Sequence, residues 1–364
     1  VKIGLVGLPN VGKSTLFNAL TSAGALASNY MFSTKEANIG VVQLPDYRLD
    51  KLCELYDTKS RVSASVEFVD IAGLVRNSSK GEGLGNQFLS YIRNVNAILE
   101  VVRCFGDENV MHVDGAVDPV RDAKTIKDEL AFSDLEILEK RIHTLSKTVQ
   151  GAAADEKAHL AALIKARDSL YDGVSLYAAE FSEQELAVLA PYNLLTFKQI
   201  LYCANVDEEH AAAGNEHSDA LKAYISEFEP NNEMIIICAK YEAEISDFGE
   251  EDKLELLGGI GLSESGLNKV IRKSFELLGL ITFFTAGKKE CRAWEIRNGT
   301  RAQHAAGKIH SDFEKKFIRA EVTKFDKLVE AGNDVRAKEL AFTRVEGKEY
   351  VIEDGDVVYF RVGA

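Results

Sequence analysis

No apolar run in the 364 residues approaches the roughly 18 needed to cross a bilayer, and the chain opens on Val1-Lys2-Ile3 without a basic-then-apolar leader. The expectation is a protein that neither spans a membrane nor is secreted, with no membrane partner. Cysteine is scarce as well. The five cysteines, Cys53, Cys104, Cys203, Cys238 and Cys291, are scattered, mostly inside apolar runs, and form no Cys-x-x-Cys pair. They read as buried free thiols in a reducing, cytoplasmic setting. Positive charge is also in deficit. A formal net charge of −14 argues against a protein whose whole surface coats nucleic acid. The deficit is uneven, since residues 281–364 hold 16 Lys+Arg against 14 Asp+Glu while residues 1–280 hold 27 against 43. The C-terminal segment is therefore the plausible polyanion-binding part.

What is present is ordinary globular composition, 46% hydrophobic and 27% charged, at a length that allows two or three domains with full cores. Short apolar runs at Ile3 to Val6, Ser65 to Val69, Ala97 to Val102, Gln199 to Ala204 and Met234 to Cys238 alternate with helical stretches. That alternation predicts a parallel sheet covered on both faces. The connection from about Asp118 to Lys198 is too long for a simple crossover. Within it Ile126, Leu130, Leu135, Leu138, Ile142 and Leu145 fall at helical spacing, Gly151-Ala152-Ala153-Ala154 interrupts, and Leu160, Leu163, Ala166 and Leu170 resume the pattern. An inserted antiparallel helical pair is expected there, as a partner-binding arm or as a lid or packing element. After Leu280 the texture changes, and Asp354-Gly355 between Tyr350-Val351-Ile352 and Val357-Val358-Tyr359-Phe360 predicts a hairpin in a separate small β/α domain.

The residues with most chemical content are Gly7-Leu8-Pro9-Asn10-Val11-Gly12-Lys13-Ser14, placed after an apolar run and before the helix-period segment Leu16 to Leu20. A strand that ends in such a turn lets backbone N–H groups converge on nucleotide phosphates. Lys13 reaches the β/γ oxygens and the Ser14 hydroxyl ligates Mg²⁺, with Asn10, Val11, Gly12 and Thr15 completing the cradle. Asp70, at the end of the Ser65 to Val69 run, is placed to hold Mg²⁺ through water, and the Gly73 N–H to meet the γ-phosphate. Thr34, on the polar connection Ser28 to Asn38, is the candidate switch threonine for Mg²⁺. Asn205-Val206-Asp207-Glu208 and Cys238-Ala239-Lys240 follow the last two apolar runs, where doubly wound sheets bind ligands.

Taken together these stretches, with Phe68-Val69-Asp70-Ile71-Ala72-Gly73-Leu74-Val75, Gly81-Glu82-Gly83-Leu84-Gly85-Asn86, Val101-Val102-Arg103-Cys104-Phe105 and Gly307-Lys308-Ile309-His310-Ser311-Asp312-Phe313-Glu314, resemble the Obg-like P-loop family, in its YchF-type ATPase branch, over the whole chain. The resemblance implies an α/β fold with a Ras-like nucleotide domain (residues 1–120 and 199–280), an inserted helical coiled coil (121–198) and a C-terminal ubiquitin-like, β-grasp TGS domain (281–364). It also implies association with ribosomes and RNA. One segment departs from the family pattern: Met31 and Ala37 stand where prolines are expected, which leaves the loop around Thr34 more freedom to lose on binding.

A guanine site uses an Asp carboxylate and a Lys stem, whereas this chain offers Glu208, one methylene longer, and Val206. The amide of Asn205 suits adenine N6 and N7, and the Val206 backbone adds a contact. ATP is therefore expected over GTP, with GTP or dual use as the alternative. Leu74 directly follows Gly73 and cannot orient water, so turnover without a helper is expected to be slow. His112 and a K⁺ ion near Asn10 are the candidate helpers, with Arg76 and Arg103 as structural alternatives. Gly81 to Gly85 reads as a loop, a nucleotide-responsive switch or a plain turn. In the last domain Lys308, Lys315, Lys316 and Arg319 are candidate RNA-phosphate contacts, while helical spacing from 312 to 319 favours core packing for Phe313 and Phe317. The leading reading is an ATP-hydrolysing switch that engages ribosomes or RNA. An adaptor with little hydrolysis and a small-molecule kinase are the competitors.

Overall fold

The computed structural model describes residues 1–23, 38–71, 83–106, 116–147 and 154–363. Its strands are β1 (Lys2–Val6), β2 (Asn38–Gln43), β3 (Arg61–Val62), β4 (Ser65–Asp70), β5 (Ala97–Arg103), β6 (Ile200–Asn205), β7 (Glu233–Ile237), β8 (Leu280–Ala286), β9 (Cys291–Arg297), β10 (Phe317–Lys324), β11 (Arg344–Glu346) and β12 (Asp356–Val362). The chain divides into two compact units, Val1–Val41 with Glu67–Val270, and Val42–Val66 with Ile271–Ala364.

The first unit is built on a six-stranded sheet of order β2-β4-β1-β5-β6-β7, in which β4, β1, β5, β6 and β7 pair in parallel. All residues of β5 and β6 are buried, as strands covered on both faces require. These parallel strands coincide with the predicted apolar runs to within a residue or so. The edge strand β2 was not anticipated, because its Ile39 and Val41 alternate outward and remain about half exposed, at 49% and 51%. The chain leaves β1 toward β2 on one side and leaves β5 toward β6 on the other, so the crevice at the carboxyl ends of β1 and β5 is the topological switch point.

The helices α1 (Lys13–Ala23), α2 (Tyr47–Leu55), α3 (Gly83–Arg93), α4 (Pro119–Ser146) and α5 (Ala154–Tyr171) follow in chain order. The glycine-rich stretch expected to be a loop instead enters α3 at Gly83. Glycine is tolerated in a first turn, and burial of Phe88, Leu89 and Ile92 supplies the drive to hold the helix. α4 starts on the Asp118 N-cap with Pro119 at its first position, a strong start signal. Leu135, Leu138 and Ile142 of α4 pack with Leu163, Ala166 and Leu170 of α5, and the Tyr171 hydroxyl donates to Glu139. This is the helical pair that the spacing foretold. Its return to the sheet is pinned by Asp134, fully buried, whose carboxylate accepts from the Leu195 N–H (2.9 Å), the Thr196 N–H (2.8 Å) and the Thr196 hydroxyl (2.7 Å).

The second unit holds a mixed sheet of order β11-β10-β12-β8-β9-β3. β8 and β9 form an antiparallel pair, β12 lies parallel to β8 and antiparallel to β10, and helix Ala302–Ile309 covers one face. The first five strands have the β-grasp order, with β3 added parallel to β9 at the edge. Residues 42–66, assigned from sequence to the nucleotide part, thus group with this unit. The expected Asp354-Gly355 hairpin is not formed. Both edges of β12 are taken by β10 and β8, and Val351 bridges to Arg301 instead. Gly355 still makes a turn at φ +84°, and Asp354 accepts the Thr282 N–H at 2.8 Å.

Candidate functional site

The loop after β1 closes by local rules that its sequence announces. Asn10 (φ 64°) and Gly12 (φ 90°) occupy the left-handed region, where Asn and Gly are the least strained residues. A Cβ on Gly12 would stand 2.2 Å from the Asn205 amide nitrogen, and one on Gly7 would stand 2.7 Å from the Val101 carbonyl oxygen. The loop therefore lies against its supports at backbone contact, then turns into α1 with the Leu16 N–H donating to the Gly12 carbonyl at 3.0 Å.

The carboxyl ends of β1, β5 and β6, with the residues after β7, surround a cavity of about 1020 Å³. Of the predicted nucleotide residues, Asn10, Gly12, Thr15, Asn205, Val206, Glu208, Ala239 and Lys240 line it, while Val11 is buried behind the loop. Lys13 and Asp70 are brought together as an ion pair, Nζ to Oδ1, with Lys13 only 9% exposed. Ser14 is exposed at the start of α1. One hydroxyl and one carboxylate are hard oxygen donors of the kind a divalent cation takes. Thr34, Gly73, Leu74, Arg76 and His112 lie outside the described residues. Among those described, no group of three or more His, Cys, Asp and Glu side chains is arranged to hold a metal ion by itself. Of the metal-binding residues picked from sequence, Ser14 and Asp70 are described, and two such donors would suit a cation that shares its ligands with phosphate, which needs fewer protein groups.

The Asn205 amide departs from its expected role. Nδ2 donates to the Val11 carbonyl at 2.9 Å and Oδ1 accepts the Ala239 N–H at 3.0 Å, with the residue 4% exposed. A bidentate pair with adenine needs both atoms facing one base, so the amide ties the phosphate loop to the strand-end after β7 instead. Val206 likewise spends its N–H on the Ile237 carbonyl at 2.8 Å. The other end of the cavity is acidic, lined by Asp207, Glu208 and Glu209, and Asp207 also meets the His210 ring.

Several lining residues escaped the sequence reading. Phe105 was quoted only within a motif; its ring carries the Arg103 guanidinium at 4.5 Å, and Arg103 Nε donates to the Phe105 carbonyl at 3.1 Å. Arg103, 2% exposed, is thus a support for this wall, the structural alternative named above. Tyr241 and Ile260 belong to a small core with Cys238, Ile245 and Leu257, and Ile260 carried no local signal because it arrives from a distant turn. Cys104, Cys203, Cys238 and Cys291 are buried free thiols, and burial pushes the Cys104 thiol up to about 12. In the second unit Lys308, Lys315, Lys316 and Arg319 are all exposed, with Lys308 paired to Glu295 at 2.7 Å. The predicted helix stops at Lys315 and Phe317 opens β10, yet both Phe313 and Phe317 pack on the core as expected.

Comparison with known proteins agrees with this geometry. Residues 2–138 match a family described as 50S ribosome-binding GTPase, and residues 280–363 match YchF-GTPase_C, described as a protein of unknown function. The chain is 48% identical over 360 residues to a protein of Bacillus subtilis (strain 168) called ribosome-binding ATPase YchF, covering 98% of each. The protein of that name in Escherichia coli O157:H7 is 46% identical over 359 residues, covering 99% of this chain and 98% of its own. The solved Schizosaccharomyces pombe YchF GTPase superposes with a TM-score of 0.89 at 36% identity, covering 99% of this chain and 97% of that one. Matched along its full length, the chain belongs to the YchF family of P-loop proteins.

Proposed function

We propose that this protein is a P-loop nucleotide triphosphatase acting as a regulatory switch, with ATP preferred over GTP, and that it binds the ribosome. The observation that carries the reading is the pairing of Lys13 with Asp70 at the mouth of a positive-φ glycine loop, beside a cavity large enough for a nucleotide. Each of these two side chains is what a triphosphate and its cation recruit. With Mg-nucleotide bound, Lys13 would serve the β/γ oxygens, the loop N–H groups would receive the phosphates, and Ser14 and Asp70 would hold the cation. Mg²⁺, when bound, offsets the charge that develops on the transferred phosphoryl group. The relatives named as ribosome-binding ATPases support the partner and the reaction.

Base preference rests on Val206 and Glu208, which replace the lysine stem and the aspartate of a guanine clamp, and not on the amide of Asn205. Slow turnover follows from Leu74, with K⁺ near Asn10 or His112 as the helper, and Thr34 and Gly73 as the γ-phosphate sensors. RNA contact is assigned to the exposed Lys308, Lys315, Lys316 and Arg319 of the C-terminal TGS-type unit. Phosphate release from Mg-ATP tests the enzyme: slow turnover, stimulated by K⁺ over Na⁺ and abolished in Lys13→Ala, is expected. Equal turnover in Lys13→Ala and the unaltered protein would overturn it.

A further inference from the structure

Strands β10 and β12 of the second unit carry apolar side chains to one face of their sheet and polar ones to the other. Ala320, Val322, Val358 and Phe360 pack in the core that helix Ala302–Ile309 covers. By the alternation of a strand, Arg319, Glu321, Thr323, Val357, Tyr359 and Arg361 point to the opposite face. The pairing sets Tyr359 opposite Glu321 and Arg319 opposite Arg361. Like charges directly opposite one another on paired strands repel. Nothing on the protein relieves Arg319, which is exposed and has no ion pair or hydrogen bond among the described residues. The register slips just before it, and the extra residue, Ile318, stands exposed at 60%. Such bulges re-aim side chains beside functional sites.

Arg361 is held by two contacts. Its Nε donates to Glu321 at 2.8 Å, and its guanidinium lies over the Tyr359 ring at 4.4 Å, with Tyr359 itself 56% exposed. Lys338, from helix Asp334–Glu339, meets the other oxygen of Glu321 at 2.7 Å. Beside this stack the face dips into a cavity of about 320 Å³, lined by Tyr56, Thr323, Lys338, Thr343, Tyr359 and Arg361 among others. That is the small end of the range for ligand sites. Asp334 also lines it and accepts the Tyr56 hydroxyl at 2.6 Å. The patch thus sets three cations, Arg319, Lys338 and Arg361, against two carboxylates, in keeping with the positive balance of residues 281–364.

We propose that this face binds an unpaired nucleotide of single-stranded RNA, its base entering the cavity against Tyr359 and its phosphate bridging Arg319 and Arg361. A phosphate between two guanidiniums turns their repulsion into a shared attraction. The Tyr359–Arg361 stack offers a ring and a guanidinium plane, the two surfaces on which splayed-out bases lie. Thr323 and Thr343, whose hydroxyls meet at 2.9 Å, keep a donor and lone pairs for a base edge. A base paired within a duplex cannot enter such a cavity, so the site selects single strands. An acidic peptide would use the arginines and leave the ring and the cavity idle. The inference rests on the RNA contact proposed above for this unit and narrows it to one nucleotide and one form of RNA.

The test is fluorescence anisotropy of the full chain with labelled single-stranded oligo(A) and oligo(U) of about ten nucleotides, and with the duplex of the two. The single strands are expected to bind more tightly than the duplex. Tyr359→Ala is expected to lower single-strand affinity by about fivefold or more and to leave duplex affinity unchanged, while Tyr359→Phe, which keeps the ring, retains it. Arg319→Ala is expected to flatten the logarithmic salt slope for single strands by about 0.7, one phosphate contact. Preference for the duplex, an unchanged single-strand affinity in Tyr359→Ala, or equal losses for both forms would overturn the inference. Equally tight binding of oligo-glutamate would assign the face to an acidic protein segment and overturn it too. No binding of either RNA form by the unaltered protein would overturn the RNA reading itself, an outcome distinct from these.

Discussion

Asn205 shows how one buried amide can join two segments that are 34 residues or more apart in sequence, taking the Ala239 N–H and serving the Val11 carbonyl. Asn205→Ala strands both backbone groups, each at about 1–3 kcal/mol when buried. Urea unfolding is expected to show a loss of about 2–4 kcal/mol, and nucleotide affinity to fall with it. A loss confined to affinity would instead mean that the amide faces the base. Glu100, on the central strand β5, raises a different issue: it is 1% exposed, and neither carboxylate oxygen has a hydrogen-bond partner among the described residues. Burial first, then the carboxylates of Glu229 and Asp122, push its carboxyl well above the usual range. A folded-state value above the unfolded one means that the folded chain binds the extra proton. Its stabilising contribution is complete below the unfolded value, near 4.3, and is lost as pH rises through the raised folded value. Glu100→Gln, which stays neutral, is expected to flatten the fall in stability as pH rises above about 4, measured by denaturant titration at a series of pH values from there upward; an unchanged slope would show that Glu100 is not its source.

At the scale of elements, the parallel strands and the helical pair were legible because each satisfies a local rule as well as a global one. β1, β4, β5, β6 and β7 are apolar runs of strand length, and α4 has its cap, its proline and its repeat in one stretch. The failures have tertiary causes. The Asp354-Gly355 turn was read correctly as a turn, but which strands it joins depends on the pairing of β12 with β10 and β8, which no local pattern encodes. β3 is two residues long and exists because β9 offers it an edge. The phosphate loop was fully visible because its chemistry is contiguous, whereas the hydrophobic wall of Tyr241 and Ile260 is assembled from separate turns. Asp134 is likewise silent in sequence, a carboxylate inside an apolar repeat, and burial pushes it up against three donors that pull it down. Asp134→Ala leaves the turn Leu195–Phe197 without its acceptor, at an expected cost of about 3 kcal/mol. Hydrogen exchange should accelerate locally over residues 193–198; acceleration spread over the whole chain would contradict the pinning role.

For the whole molecule, the uneven charge noted at the outset gives the C-terminal part its electrostatic character, a slight positive excess where the remainder is strongly acidic. If Lys308, Lys315, Lys316 and Arg319 meet RNA phosphates, replacing all four by alanine weakens ribosome binding and flattens its dependence on salt, by about 0.7–0.9 in logarithmic slope for each phosphate no longer neutralised. An unaltered slope would move the interface elsewhere. The helical pair and the block of residues 42–66 interrupt the nucleotide fold at two different connections.

The central claim is an ATP-binding switch, and calorimetric titration of the full chain with Mg²⁺ and non-hydrolysable ATP and GTP analogues, in K⁺ buffer, tests it most directly. With Val206 and Glu208 in place of a guanine clamp, ATP is expected to bind about tenfold tighter or more, since sites that lose a substrate's hydrogen bonds lose their preference for it. Tighter binding of the GTP analogue would show that Glu208 serves as the clamp's carboxylate and would contradict the account.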